Sequence, residues 1–488
     1  MSPVTAVVLA IVVPLVGAVA IGLMGEERAN LRETATLVSA AIVFGLVLTL
    51  TPQIAGGARP ELVLGEPLPG LPIAFEVEPL GLIFSLVASS LWIVTSIYSI
   101  GYMRGHHEEN QTRFYIFFAI AISAVMGVAF AGNLFTLFVF YEVLTLSTFP
   151  LVTHHGTEAA KRGGRVYLGL LLATSIFLFL PAVIWTWYVA GTLDFVPGGI
   201  LDGVLSPAAA TILLGLFVFG IGKAAVMPVH RWLPAAMVAP TPVSALLHAV
   251  AVVKAGVFAI LKISVYIFGT TFLQDVGASQ IFAYVAGATI LLASLVAFTK
   301  DNLKARLAYS TIGQLSYIVL GAMLANSYGI VGGAMHIVMH AFGKITLFFG
   351  AGAILVAAHR TQVSQLDGIG RMMPVTMAAF LIGALSITGL PPTGGTWSKW
   401  YLALGTLEAG EPILLAVLML SSLLNIGYLL VIPARAFFAP ADPELLAHPV
   451  REAPMPILIA MVITASVSIG LFFFPDPLFD LVRMVVES

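Results

Sequence analysis

Apolar residues fall in long runs along this chain, separated by short polar turns. A run of about 20 apolar residues matches the hydrocarbon thickness of a bilayer when it is helical. Fourteen segments are predicted: roughly 3–24, 31–50, 79–101, 113–131, 133–154, 163–190, 207–236, 240–268, 280–299, 305–325, 329–357, 372–405, 411–437 and 454–474. The seventh and twelfth are too long for one straight crossing, and both contain prolines. Alternating segments of about 10 residues, the mark of a membrane β-barrel, are absent. The gap at 51–78 is too short for a soluble catalytic domain. The pattern predicts an all-α polytopic membrane protein.

The basic residues orient it, because inward loops carry the excess of Lys and Arg. With the N-terminus outside, fifteen of the 22 Lys and Arg fall in inward loops, against Arg59 and Arg483 outside. The other five, Lys223, Lys254, Lys262, Lys344 and Lys399, lie within segments. Both termini are expected on the outer face of the cell (inner) membrane. No basic residue precedes the first run, Pro3 to Met24, which reads as a retained helix rather than a cleaved signal peptide. Segments four to eight and nine to thirteen each hold a proline-broken helix as the fourth of five. Five is odd, so the two units would be inverted relative to each other, a common transporter design. The expected division is 1–112, 113–268, 280–437 and 454–488.

Composition sharpens this. The 488 residues are 59% hydrophobic and 9% charged, with mean hydropathy +1.02. Soluble domains carry about 25% charged residues. A net charge of −2 gives no reason to expect a nucleic-acid partner. The absence of cysteine excludes disulfides, thiolate-held iron–sulfur clusters and Cys-type zinc sites. No flavin, nucleotide or cluster motif is present, so no cofactor is expected, and any redox chemistry would belong to partners.

The candidate chemistry lies in ionisable residues inside the segments, which cost about 2.5–3.5 kcal/mol each at a helix centre and normally face a polar interior. The stretch from Gly220 to Lys262 carries Lys223 beside Pro228 and Pro234, and Lys254 after a Pro240-Thr241-Pro242 helix start. A broken helix at membrane depth is tolerated only when buried in protein or lining a cavity. Glu142 is the only acid near the middle of any segment. Two readings stand open for it: a buried carboxyl that joins two helices, or a proton-exchanging acid that tunes a nearby lysine. His336, His340 and Lys344 recur at i, i+4 and i+8 on one helix face, a pattern that suits a proton relay. Zinc is the rival for the histidine pair, which lacks the His-Glu-x-x-His pattern and needs a third ligand. Lys399 follows a second break, Pro391-Pro392 and Gly394-Gly395; it either works there or snorkels from a kinked packing helix. His248 either joins the Lys254 row or hydrogen-bonds across helices. Lys262, two turns beyond Lys254, is expected to snorkel toward the outer surface.

These residues resemble a known family. FYE at 140–142, GKAAVMPVHRWLPAAMVAPTPVSALLHAVAVVKAG, KARLAYSTIGQLSY, HIVMHAFGKITLFF and GLPPTGGTWSK are similar to the antiporter-like membrane subunits of respiratory complex I and of Mrp-type cation/proton antiporters. The resemblance runs from about the third segment to the thirteenth. It implies fourteen helices, two inverted five-helix repeats and a central polar axis that carries protons. It also implies Glu142 and Lys223 as a first charge pair and Lys254 as the connecting lysine. His336, His340 and Lys344 would serve the second half, and Lys399 would be the terminal lysine. Chain length and Lys399 resemble the D-type member of the Mrp antiporters, whereas the His248 and His336–His340 pattern resembles the larger subunits. The expected function is that of a proton-translocating subunit of a multi-subunit Na⁺(K⁺)/H⁺ antiporter, with sister subunits, protons, Na⁺ or K⁺ and the bilayer as partners. A proton-pumping subunit of complex I or of a membrane-bound hydrogenase is the alternative, and only there would the chain be part of an enzyme. A purely structural scaffold gains nothing from the intramembrane charges.

Overall fold

A computed structural model describes residues 1–246, 250–441, 445 and 450–487. Helix α1 (Pro3–Met24) starts at Ser2, whose hydroxyl accepts from Thr5 N, with Pro3 where a missing amide is harmless. It packs along α2 (Ala29–Ala55). An antiparallel hairpin of β1 (Glu61–Leu68) and β2 (Leu71–Glu76) follows, turned at Gly70. The gap at 51–78 between the second and third predicted segments thus holds a hairpin. Prolines at 67 and 72 and glycines at 65 and 70 keep the stretch out of a helix. Then come α3 (Pro79–Gly105), α4 (Gln111–Ala129), α5 (Leu134–Val152) and α6 (Glu158–Ala190), the last with a π-helical turn at Ser175–Phe179. The hairpin docks on the α4–α5 turn: Glu76 N donates to Phe130 O, and Asn133 Nδ2 donates to Pro72 O.

Helix α7 (Pro207–Gly220) stops at the first break. Single turns carry the chain to Val238, and Thr241–Ala245 begins the next segment behind Pro240. Past residues 247–249, α8 (Val252–Phe268) is buried along its whole length. It bends by 80° into Thr270–Val276. The second half runs through α9 (Gln280–Thr299), α10 (Leu303–Leu324), α11 (Ser327–Ala358), α12 (Pro374–Thr388), α13 (Gly395–Glu408), α14 (Pro412–Phe438) and α15 (Met455–Phe473). The stretch beyond the last predicted segment forms α16 (Asp476–Val486), which buries Val482 and Val485 and packs on α3 and α11.

Among the described residues, eleven helices are long and apolar enough to cross a membrane, twelve if α8 and its bent continuation count as one. The count falls short of fourteen because the two proline-broken segments are split into pieces too short to qualify, α7 and α12 among them. Burial separates centre from rim. The most apolar stretch of α10 is 94% buried and those of α3 and α11 are 78% buried, whereas α1, α2, α6, α14 and α15 lie between 33 and 39%. The central helices therefore carry whatever the molecule hides from lipid.

One close approach fixes that centre. A Cβ on Gly256 would stand 2.3 Å from Ala224 N and 2.4 Å from the Lys223 carbonyl carbon. Only glycine lets the helix bearing Lys254 lie against the turn bearing Lys223. Gly256→Ala is expected to destabilise the protein by about 1–3 kcal/mol through overpacking. Thermal unfolding in detergent checks this, with Gly169→Ala, where nothing lies within 4 Å, as the unaffected control.

Candidate functional site: a buried row of lysines and histidines

The site begins where α7 ends. The break leaves backbone groups without helical partners, and neighbouring side chains take them up. Trp232 Nε1 donates to Gly222 O at 2.8 Å, Lys223 N donates to the Tyr141 hydroxyl at 3.1 Å, and Met227 N donates to Thr289 Oγ1 at 3.3 Å. Lys223 is fully buried on this turn. Its Nζ donates to Tyr141 O at 2.8 Å and to Thr145 Oγ1 at 2.5 Å, and it stands 3.1 Å from the Tyr141 ring centroid. Glu142 is the next residue on α5, half-buried beside the exposed Val143 and Leu146. Neither of its carboxylate oxygens has a hydrogen-bond partner among the described residues. The direct pair implied by the resemblance is thus not closed here, although the α5 groups that hold Lys223, Tyr141 and Thr145, flank Glu142.

In the second half the three α11 residues form one row, as their spacing requires, and each meets a different partner. Lys254 Nζ and His340 Nδ1 share a hydrogen bond of 2.8 Å, which joins α8 to α11. His336 Nε2 donates to Gln314 Oε1 at 3.1 Å, so in a neutral ring Nδ1 accepts from the Ser398 hydroxyl at 2.8 Å. With both nitrogens of His336 engaged, the histidine pair does not offer two free ligands to zinc, and no group of three or more His, Asp or Glu among the described residues could hold a metal. Lys344 donates to Ser310 at 2.7 Å, and Ser310 also accepts from Tyr428, which bonds Asn425. His248 lies outside the described residues.

The second break resembles the first in its chemistry. Gly394 N donates to Ser468 O at 2.8 Å, and Trp397 Nε1 donates to Phe472 O at 2.9 Å. Lys399 Nζ donates to Thr388 O at 2.9 Å and to Ser422 Oγ at 3.2 Å, under the Tyr317 ring at 4.7 Å. The Tyr317 ring in turn stacks on His336 at 5.6 Å, and His336 faces His340 at 5.8 Å. Lys399, Tyr317, His336, His340 and Lys254 therefore form a continuous buried succession of contacts. Tyr141, Thr145, Ser310, Gln314, Tyr317 and Ser398 were not singled out from sequence. For three of them a signal exists: Ser310, Gln314 and Tyr317 recur at i, i+4 and i+7 on one face of α10.

Lys262 corrects an expectation. It is fully buried and does not snorkel. Its Nζ lies 3.2 Å from Glu78 Oε1 and donates to Ala131 O at 2.8 Å. Glu78 also caps α3, accepting from Leu80 N at 2.6 Å and Gly81 N at 2.7 Å. Glu76, on the hairpin strand just before it, is half-buried; burial raises its carboxyl above the usual range against the pull of Lys262.

A helical membrane protein with two broken helices and a buried ionisable row defines the class. Residues 131–425 match the family described as NADH:quinone oxidoreductase/Mrp antiporter, transmembrane, and residues 70–115 match the N-terminus of complex I chain 5. The chain is 33% identical to NADH-quinone oxidoreductase subunit N of Desulforudis audaxviator, over 86% of this chain and 84% of that one. It is 29% identical to the A-type Na⁺/H⁺ antiporter subunit of Alkalihalophilus pseudofirmus, over 86% of this chain but only 55% of that longer one. Its fold matches a chain of the Mrp complex from a Dietzia species with a TM-score of 0.88 at 23% identity, covering 100% of this chain and 97% of that one. A chain of an archaeal membrane-bound sulfane sulfur reductase matches equally well, also at 0.88. The chain belongs to the NADH:quinone oxidoreductase/Mrp antiporter family of membrane subunits.

Removing one member of a buried ion pair typically costs about 3–5 kcal/mol, because the other charge is stranded. Lys262→Met is therefore expected to lower thermal stability strongly, and the added Glu78→Gln change to restore part of it. A double-mutant cycle on purified protein measures the coupling.

Proposed function

We propose that this chain is a proton-translocating subunit of a multi-subunit Mrp-type Na⁺(K⁺)/H⁺ antiporter. The buried succession from Lys254 through His340, His336 and Tyr317 to Lys399 carries this reading. Imidazole, hydroxyl and ammonium groups in contact can exchange protons, and no structural need explains so many inside an apolar core. Glu142 and Lys223 act as the first exchanging pair and Lys254 as the link between halves. His336, His340 and Lys344, with His248, serve the second half, and Lys399 is the terminal group. The two breaks belong to fourteen crossings arranged as inverted repeats, 113–268 and 280–437, in the cell (inner) membrane with both termini outside.

A second reading rests on the 33% identity to subunit N of an NADH-quinone oxidoreductase, of which the chain spans 84%. There the same axis would be driven by a redox partner. Affinity isolation of the native complex separates the two. Small antiporter subunits and Na⁺- or K⁺-driven proton exchange support the first; quinone- or hydrogen-reactive subunits replace it with the second.

Glu142→Gln keeps size and polarity but removes the titrating group, and proton transport is expected to fall by roughly 100-fold with assembly retained. Full transport in that variant would reduce Glu142 to a packing residue.

Lys223→Arg and Lys399→Arg keep the charge but cannot release a proton. Both are expected to assemble and transport as poorly as the alanine variants, measured as proton-gradient formation in vesicles at matched protein levels. Normal pumping by both would make the lysines fixed charges.

A further inference from the structure

Away from the buried row, three loops meet at the end of the molecule that carries the basic turns. Glu108, between α3 and α4, has a side chain only 5% exposed. His106 Nδ1 lies 3.1 Å and His155 Nε2 3.2 Å from its carboxylate, and His154 Nε2 lies 3.9 Å away. His154 is buried, and neither of its ring nitrogens has a hydrogen-bond partner among the described residues. These four side chains line a cavity of about 260 Å³, together with His107 and Glu109. One face of the cluster therefore opens outward.

The other face touches the start of the segment that leads to Lys254. His155 Nδ1 hydrogen-bonds Val238 O at 3.2 Å, and Lys304 Nζ donates to Ala239 O at 2.5 Å. His106 stacks on Tyr102 at 5.6 Å, and the Tyr102 phenol meets the Thr241 hydroxyl at 3.4 Å. Arg113 holds the main chain here, donating to His154 O at 2.6 Å. The charged groups facing the cluster are thus Arg113, Lys304 and, on the cavity rim beside His107, Glu109.

We propose that Glu108 with His106, His154 and His155 is a proton-loading site, which takes protons from water on the basic-loop side and supplies them to the Lys254 row. One carboxylate among three imidazoles stabilises an imidazolium formed beside it. Loading moves one proton from water to an imidazole nitrogen; release returns that nitrogen to its neutral form. The directions agree. The Glu108 hydrogen bond lifts His155 above the ordinary histidine range, whereas burial lowers His154. Burial alone would raise the Glu108 carboxyl, but the imidazoles outweigh it and bring it down. The site hence keeps its ion pair from below neutrality up to the raised His155 value, and can collect a proton where protons are scarce.

The inference rests on proton transport by the complex, and the experiment separates the two. The complete complex is reconstituted in vesicles, and proton uptake from the basic-loop side is measured against the pH on that side. Glu108→Gln removes the anion that holds the imidazolium, so the half-maximal point should move about one unit toward acid, the usual size of an adjacent-charge effect. His155→Gln, at a more exposed position, should move it the same way. An unshifted profile in both variants, or an equal loss at every pH, overturns the loading site while the transport reading stands. Absence of proton movement in the unsubstituted complex overturns both.

Discussion

An ammonium group is costly in an apolar core unless hydrogen-bond acceptors meet it, and the arrangement of this protein follows from where those acceptors come from. Helix interiors offer few, because their carbonyls are already bonded; helix ends offer several. Lys399 uses Thr388 O, the last residue of α12; Lys262 uses Ala131 O in the α4–α5 turn; Lys304 uses Ala239 O, where a run of short turns ends. Lys223 draws on Tyr141 O within α5 but sits on a broken turn itself. Negative partial charge gathers at such C-terminal ends, which favours cations there. At Lys223 and Lys399 the breaks are the means by which an apolar fold holds lysine; Lys254 and Lys344, within α8 and α11, rely on the side chains of His340 and Ser310.

The two broken helices repeat one local solution with different residues. Lys223 has a carbonyl, the Thr145 hydroxyl and the face of Tyr141; Lys399 has a carbonyl, the Ser422 hydroxyl and the face of Tyr317. The difference lies in the acid. Glu142 adjoins the first site on α5, whereas the hydrogen bonds of Lys399 go only to neutral groups. The halves thus match in how they hold an ammonium and differ in what could raise its proton affinity.

The residues that were legible in the sequence are those whose rarity speaks for itself. A lysine or a double proline within an apolar run is conspicuous, so Lys223, Lys254, Lys344, Lys399 and both breaks could be read directly. Lys262 was equally visible but misjudged, because its partner Glu78 is remote in sequence and ends a loop rather than sitting within a segment. Serine, threonine and tyrosine occur throughout membrane helices, so Thr145, Ser310 and Tyr317 gain meaning only once the lysine beside each is known. Glu108 and His155 stand in separate turns whose meeting depends on how α3, α4 and α5 pack. The hairpin was hidden because a polar, proline-rich stretch between helices reads as a loop until its pairing partner is seen.

The Glu78–Lys262 pair also bears on how the chain enters the bilayer. Glu78 begins α3 and reaches the membrane long before Lys262 is synthesised. When α8 arrives, a carboxylate already stands at the depth where its second lysine must settle. Two lysines in one segment would each oppose insertion by about 2.5–3.5 kcal/mol if central. A waiting counter-ion relieves one of them and gives the late segment a reason to adopt a single depth. The pair thus ties the depth of α8 to the first turn of α3, so that one helix fixes how far the other is sunk.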